Sequence, residues 1–191
     1  VASLTTAQVQ VIEIADLKQL SSAQIMALTT AQIPVLTTDQ VVALTTDQIK
    51  VIETADIQRL TTAQVASLTN TQVPALTSAQ ILALQSDQIA AMGAVNITKL
   101  TGDRMTLLSA SQVAALTTVQ IQGLTNAEIT KMSTAQVQEL TTAQMPAFTQ
   151  SQIALFSSAQ IAAMETQDVA SLTTAQIGWL IAQQMPHFNS A

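Results

Sequence analysis

From Leu4 onward the chain repeats one eight-residue phrase without an insertion or a deletion. The phrase first reads Leu4-Thr5-Thr6-Ala7-Gln8-Val9-Gln10-Val11. Twenty-three such octads run from Leu4 to His187, and Phe188 opens a truncated twenty-fourth. A unit this short cannot bury its own apolar residues, so it must bury them against neighbouring units. With Leu4 as position 1, positions 1 and 6 are apolar in every octad. Position 1 is Leu, with Ile12, Ile52, Met92, Met132, Phe148, Phe156, Met164 and Phe188 as variants. Position 6 is mostly Val or Ile, with Leu17, Met105, Met145 and Met185 as variants. Position 2 is usually Thr or Ser, position 4 often Ala and position 5 usually Gln.

Thr or Ser followed three residues later by Gln is a capping box: the hydroxyl accepts from the N3 amide and the Gln side chain reaches back to the N-cap amide. If position 2 is the N-cap, positions 1 and 6 are N′ and N4, the partners of a hydrophobic staple. Cap and staple therefore predict the start of a short helix in almost every octad. Isolated helices below about 12–15 residues do not hold in water, and a cap contributes on the order of 1 kcal/mol. The helices must lean on one another. The fold class expected is all-α, a solenoid of short capped helices, one per octad, over residues 1–191 as a single repeat body. Ala at positions 4 and 8 is expected to let backbones approach closely.

Two other folds compete with this one. One continuous helix conflicts with a period of eight, with recurring caps and with four prolines. A β-solenoid is the alternative reading. It is opposed by the opposite parity of positions 1 and 6, by only four glycines, and by the poor strand propensity of Ala.

A slower rhythm overlies the octad. Position 5 is Asp16, Asp56, Asn96, Glu128 and Asp168 at spacings of 40, 40, 32 and 40 residues. Two octads after four of these comes a proline at position 7: Pro34, Pro74, Pro146 and Pro186. Blocks of five octads, with one of four, are expected, and a block is a candidate for one superhelical turn. Three block-opening octads carry Glu13, Glu53 and Glu165, poor N-caps, where the preceding helix runs on or the chain turns a different corner. The prolines should mark helices that end early. Met92 to Leu107 is the most degenerate stretch, with Gly93, Asn96, Gly102 and Arg104, and is the expected site of irregularity or a hinge.

The chemistry available is narrow. Charged residues make up 9% of the chain, against about 25% in ordinary domains, and the net charge is −6. That leaves no basic footprint for nucleic acid. No apolar run approaches the roughly 18 residues of a membrane span. With no cysteine, disulfides and thiolate metal sites are excluded. The one histidine, His187, reads as an exposed terminal residue. Asp39, Asp47, Asp87 and Asp103 at position 4 suit the positive end of a helix. Asp16, Asp56 and Asp168, paired with Glu13, Glu53 and Glu165, are the candidate calcium ligands, against the six to eight oxygens that calcium needs. No catalytic, cofactor-binding or metal residue is assigned, and the chain is expected not to be an enzyme. Stacked octads would align the threonines and glutamines into ladders, and the alternative reading is a binding module that recognises glycan, peptide or ice through them, although capping already accounts for the first threonine of each doublet and for the glutamine. All the aromatics lie past residue 147; Trp179, at position 8, is expected in the core or in a cap.

Tandem Leu-Thr-Thr-Ala-Gln phrases from Leu4 to Phe188 resemble those of very long repetitive bacterial exoproteins, often labelled adhesins, haemagglutinin-like or haem-utilisation proteins. The resemblance implies a secreted or cell-surface location and an adhesive or spacer role, and it carries over no site residue. A haem role finds no ligand set here, with one histidine and neither Cys nor Tyr. The chain opens in mid-repeat at Val1-Ala2-Ser3 and is expected to be a fragment of a longer array. Its expected partners are neighbouring repeats of the same chain, and a glycan or protein on a cell surface.

Overall fold

The computed structural model describes residues 1–100, 102–180 and 184, with the backbone alone for residues 102 and 103. Among them lie eighteen α-helical segments of four to six residues, four 3-10 segments and no strand. One octad shows the construction. Thr37 is extended (φ −70°, ψ 157°), and its hydroxyl accepts from the Gln40 amide while the Gln40 side chain accepts from the Thr37 amide. The helix Thr38–Ala43 follows. Leu44 (φ −58°, ψ 134°) and Thr45 (φ −71°, ψ 160°) then turn the chain into the next capped helix, Thr46–Lys50. An octad is thus one helical turn and a half followed by a two-residue extended corner.

The staple positions form the core. Leu36 with Val41, and Leu44 with Ile49, are all buried, as are their equivalents along most of the chain. Positions 2, 3, 4 and 7 face outward. The position-4 alanines, such as Ala63, Ala79 and Ala159, are exposed and so do not mediate close backbone approach; the position-8 alanines, such as Ala43 and Ala83, are half-buried.

Helices pack on helices three octads away in sequence. Thr38–Ala43 lies against Thr62–Ser67, which lies against Ser86–Ala91; Thr134–Gln138 lies against Ser158–Ala163. The chain is an all-α solenoid of short helices packed in series. It divides into two compact units, Val1–Lys99 and Leu100–Ala191. The division falls inside the degenerate stretch Met92 to Leu107.

Three expectations are corrected. The octads with Glu at position 2 keep the common phase. Thr6–Gln10 ends before Glu13, and Ile14–Gln19 starts after it with no side-chain cap, so the preceding helix does not run on. Glu53 and Glu165 likewise make no side-chain cap bond. The octads containing Pro34, Pro74 and Pro146 form no α-helix: they carry the 3-10 segments Ile33–Val35, Val73–Ala75 and Met145–Ala147, because proline cannot supply an interior amide donor. Pro186 lies outside the described residues. Finally, the coil closes after three to four octads, as the contacts above and the hydrogen bonds below require, so the five-octad block is not one superhelical turn.

Candidate functional site

The most repeated chemistry is the position-5 side chain. The helix ends leave orphan carbonyls at positions 6 and 1. The position-6 carbonyl accepts from the next position-1 amide, as Leu36 N donates to Ile33 O at 3.2 Å. The position-1 carbonyl has no such backbone donor. Gln64 serves both: its Nε2 donates to Ile33 O at 2.9 Å and to Leu36 O at 2.7 Å, 31 and 28 residues earlier, while its Oε1 accepts from Thr61 N at 2.7 Å. Gln136 repeats this with Met105 O and Leu108 O at 3.0 and 2.8 Å, and Gln160 with Ile129 O and Met132 O at 2.9 and 2.8 Å. These glutamines are 2–3% exposed. One amide therefore caps its own helix and clamps the coil below.

This corrects the expectation of an outward Thr/Gln ladder. Glutamine lies inside, and the first threonine of doublets such as Thr61-Thr62 and Thr173-Thr174 is engaged in its cap. The second threonine, as at Thr38 and Thr62, is exposed. In the first coil Gln8 and Gln24 are exposed, as is Asp16, and the two glutamines keep only the capping half of the role.

The exceptions at position 5 are informative. Asn96 is one methylene shorter: its Nδ2 reaches Leu68 O at 2.6 Å, makes no bond to the position-6 carbonyl, and leaves Oδ1 buried without a partner. Arg104 holds a buried Nη1 without a partner. Glu128 keeps the cap, accepting from Thr125 N at 2.6 Å, but its other oxygen is buried and unpartnered. Asp56 is 4% exposed, and burial first, then the neighbouring Glu53 charge, raise its pKa above the ordinary 3.8. Asp168 is 1% exposed with both carboxylate oxygens unpartnered; burial, then Glu165, raise its pKa likewise.

Of the candidate calcium pairs, Asp56 and Asp168 are thus brought beside Glu53 and Glu165, and Asp16 is exposed. Among the described residues no three acidic or histidine side chains converge as metal ligands. Asp39, Asp47 and Asp87 sit exposed in first helical turns, and Asp47 pairs with Lys50 at 3.1 Å. Phe148 and Phe156 are buried at position 1 in edge-to-face contact, centroids 5.3 Å apart. Trp179 is half-buried. His187, Phe188 and the Asp103 side chain lie outside the described residues. No described helix is long and apolar enough to cross a membrane.

Residues 9–46 and 49–86 match a family model described as the ALTTAQ repeat. The two matches begin 40 residues apart, the spacing of Asp16 and Asp56. The chain is similar to that repeat family over this part of its length. No curated protein and no solved structure matches the chain.

Proposed function

We propose that the chain is a non-enzymatic structural repeat segment, a stalk, spacer or adhesive array within a large bacterial surface or secreted protein. The observation that carries this reading is the internal use of the repeated polar chemistry. Position-5 amides are spent on the coil below and position-2 hydroxyls on caps, so the pattern that recurs most often serves extension of the coil itself. A device of that kind holds its shape at any length and needs no cofactor. The exported location rests on the resemblance of the Leu-Thr-Thr-Ala-Gln phrase to bacterial exoproteins, and the ALTTAQ match supports the repeat class.

A second reading is a binding module for glycan, peptide or ice. It is favoured by Thr38 and Thr62, exposed second threonines on helices packed coil upon coil. Glycan-array and ice-recrystallisation assays on the chain separate the two. A spacer gives no saturable signal in either. A signal lost on replacing Thr38 and Thr62 by Val overturns the spacer reading in favour of the module.

A further inference from the structure

The glutamine slots are built to receive an N–H donor, and one of them lacks it beside a cavity. Asp168 occupies such a slot in the unit Leu100–Ala191. By the register of the other octads, the carbonyls 31 and 28 residues earlier, those of Val137 and Leu140, stand opposite it. Asn96, with a side chain of the same length, brings its terminal nitrogen within 2.6 Å of the corresponding carbonyl, Leu68 O. Asp168 therefore sets a carboxylate against carbonyl oxygens. Its own two oxygens are buried and unpartnered. No described side chain donates to Val137 O or Leu140 O, both of which receive an amide donor in the regular octads. A cavity of about 300 Å³ opens beside this cluster of acceptors, lined by Glu139, Leu140, Thr141, Thr142, Glu165 and Asp168. A buried carboxylate facing carbonyls, with no donor between them, is costly unless something positive fills the gap.

We propose that this cavity binds a primary ammonium group carried on a short aliphatic chain. The ammonium sits in the cavity beside the slot and supplies the N–H donors that Gln Nε2 brings to the others. Its N–H bonds point to the Asp168 carboxylate and to the Leu140 carbonyl, and its methylenes lie in the cavity against Leu140. Glu139 and Glu165 at the rim add negative potential that draws a cation in. The donor-to-carbonyl distances of the regular slots, such as 2.9 and 2.7 Å at Gln64, are those of N–H hydrogen bonds. A calcium ion demands shorter contacts and six to eight oxygens. The flat guanidinium fork matches a two-oxygen carboxylate edge, whereas this slot offers acceptors from two directions.

The test titrates the full chain with n-butylamine and 1,5-diaminopentane at neutral pH by calorimetry, alongside Asp168→Gln and Asp56→Gln. Glutamine is the octad's own residue at this position, so Asp168→Gln is expected to fold, checked by its helical circular dichroism. Saturable one-to-one binding is expected, at least about tenfold weaker in Asp168→Gln, the loss of one charged hydrogen bond, and unchanged in Asp56→Gln. Absence of saturable amine binding overturns the proposal. So does equal binding by Asp168→Gln, which would mark a diffuse acidic surface. Saturable calcium binding that Asp168→Gln abolishes, without amine binding, would make the slot a metal site and overturn it too.

Discussion

Replacing Gln64 by Glu isolates the clamp from the cap. Glutamate serves the capping box as well as glutamine does, so the bond from Thr61 N is kept. What changes is the other end. The nitrogen that donates to Ile33 O and Leu36 O at 2.9 and 2.7 Å becomes an oxygen facing them, in a side chain 2% exposed. Two hydrogen bonds are lost at about 1 kcal/mol each, and Leu36 O, which has no backbone donor, becomes a buried unsatisfied acceptor at about 2 kcal/mol. The expected loss is about 4 kcal/mol at neutral pH. Gln8→Glu is the control: Gln8 caps its helix through Oε1 but is exposed and clamps no described carbonyl, so its replacement should cost no more than about 0.5 kcal/mol. Urea unfolding followed by helical circular dichroism reads both. The acid dependence supplies a second check. A buried carboxyl facing carbonyls is held protonated above its unfolded pKa of about 4.3. The penalty is therefore smallest at low pH and grows as pH rises through the folded value. Equal losses at Gln64 and Gln8, or a Gln64→Glu penalty indifferent to pH, would refute the clamp.

Thr61→Ala should cost about 1 kcal/mol through its lost cap, while Thr62→Ala, on an exposed hydroxyl, should change the urea midpoint little; equal midpoints would show the N-cap misplaced. Asn96→Gln should stabilise by about 1 kcal/mol, because the longer side chain reaches the position-6 carbonyl and the cap, and a lower midpoint would mean that Gly93 and Asn96 hold a local geometry Gln cannot share. The folded-state pKa values of Asp56 and Asp168 are raised above 3.8, by burial and then by Glu53 and Glu165. The native state therefore binds the extra protons, and stability falls as pH climbs from about 4 through those values. In amine-free buffer the double variant Asp56→Gln/Asp168→Gln should lose that fall in melting temperature, and a wild type that gains on the variant as pH rises would contradict the sign.

The local grammar was legible and the long-range grammar was not. Thr61 and Gln64 announce a cap, and Leu60 with Val65 a staple, because both devices act within one octad. How many octads close a coil depends on the corner set by residues such as Leu44 and Thr45, and a few degrees there cannot be read from residue types. The five-octad rhythm of Asp16 and Asp56 points to a coil length, but the Gln64 amide reaches carbonyls only 31 and 28 residues earlier, so the rhythm is not the coil. Glutamine's inward role was hidden because capping explained it sufficiently. The overlooked signal was chemical: a capping box accepts Glu as readily as Gln, so a chain that almost always chooses the amide needs its N–H bonds. Ala63 and its equivalents misled for the converse reason, since a small residue fits a solvent-facing position as easily as a crowded one.

Where position 5 is a buried glutamine, the amide clamp joins the octad to backbone carbonyls, and backbone carbonyls are the same whatever side chain precedes them. Any bead of the array can therefore sit above any other. Removing one bead shifts every later bead to a new neighbour of identical chemistry, and no mating surface has to change with it. The 32-residue interval between Asn96 and Glu128 differs from the intervals of 40 by one such bead. A chain built this way can change its reach in steps of eight residues without redesign of its interior.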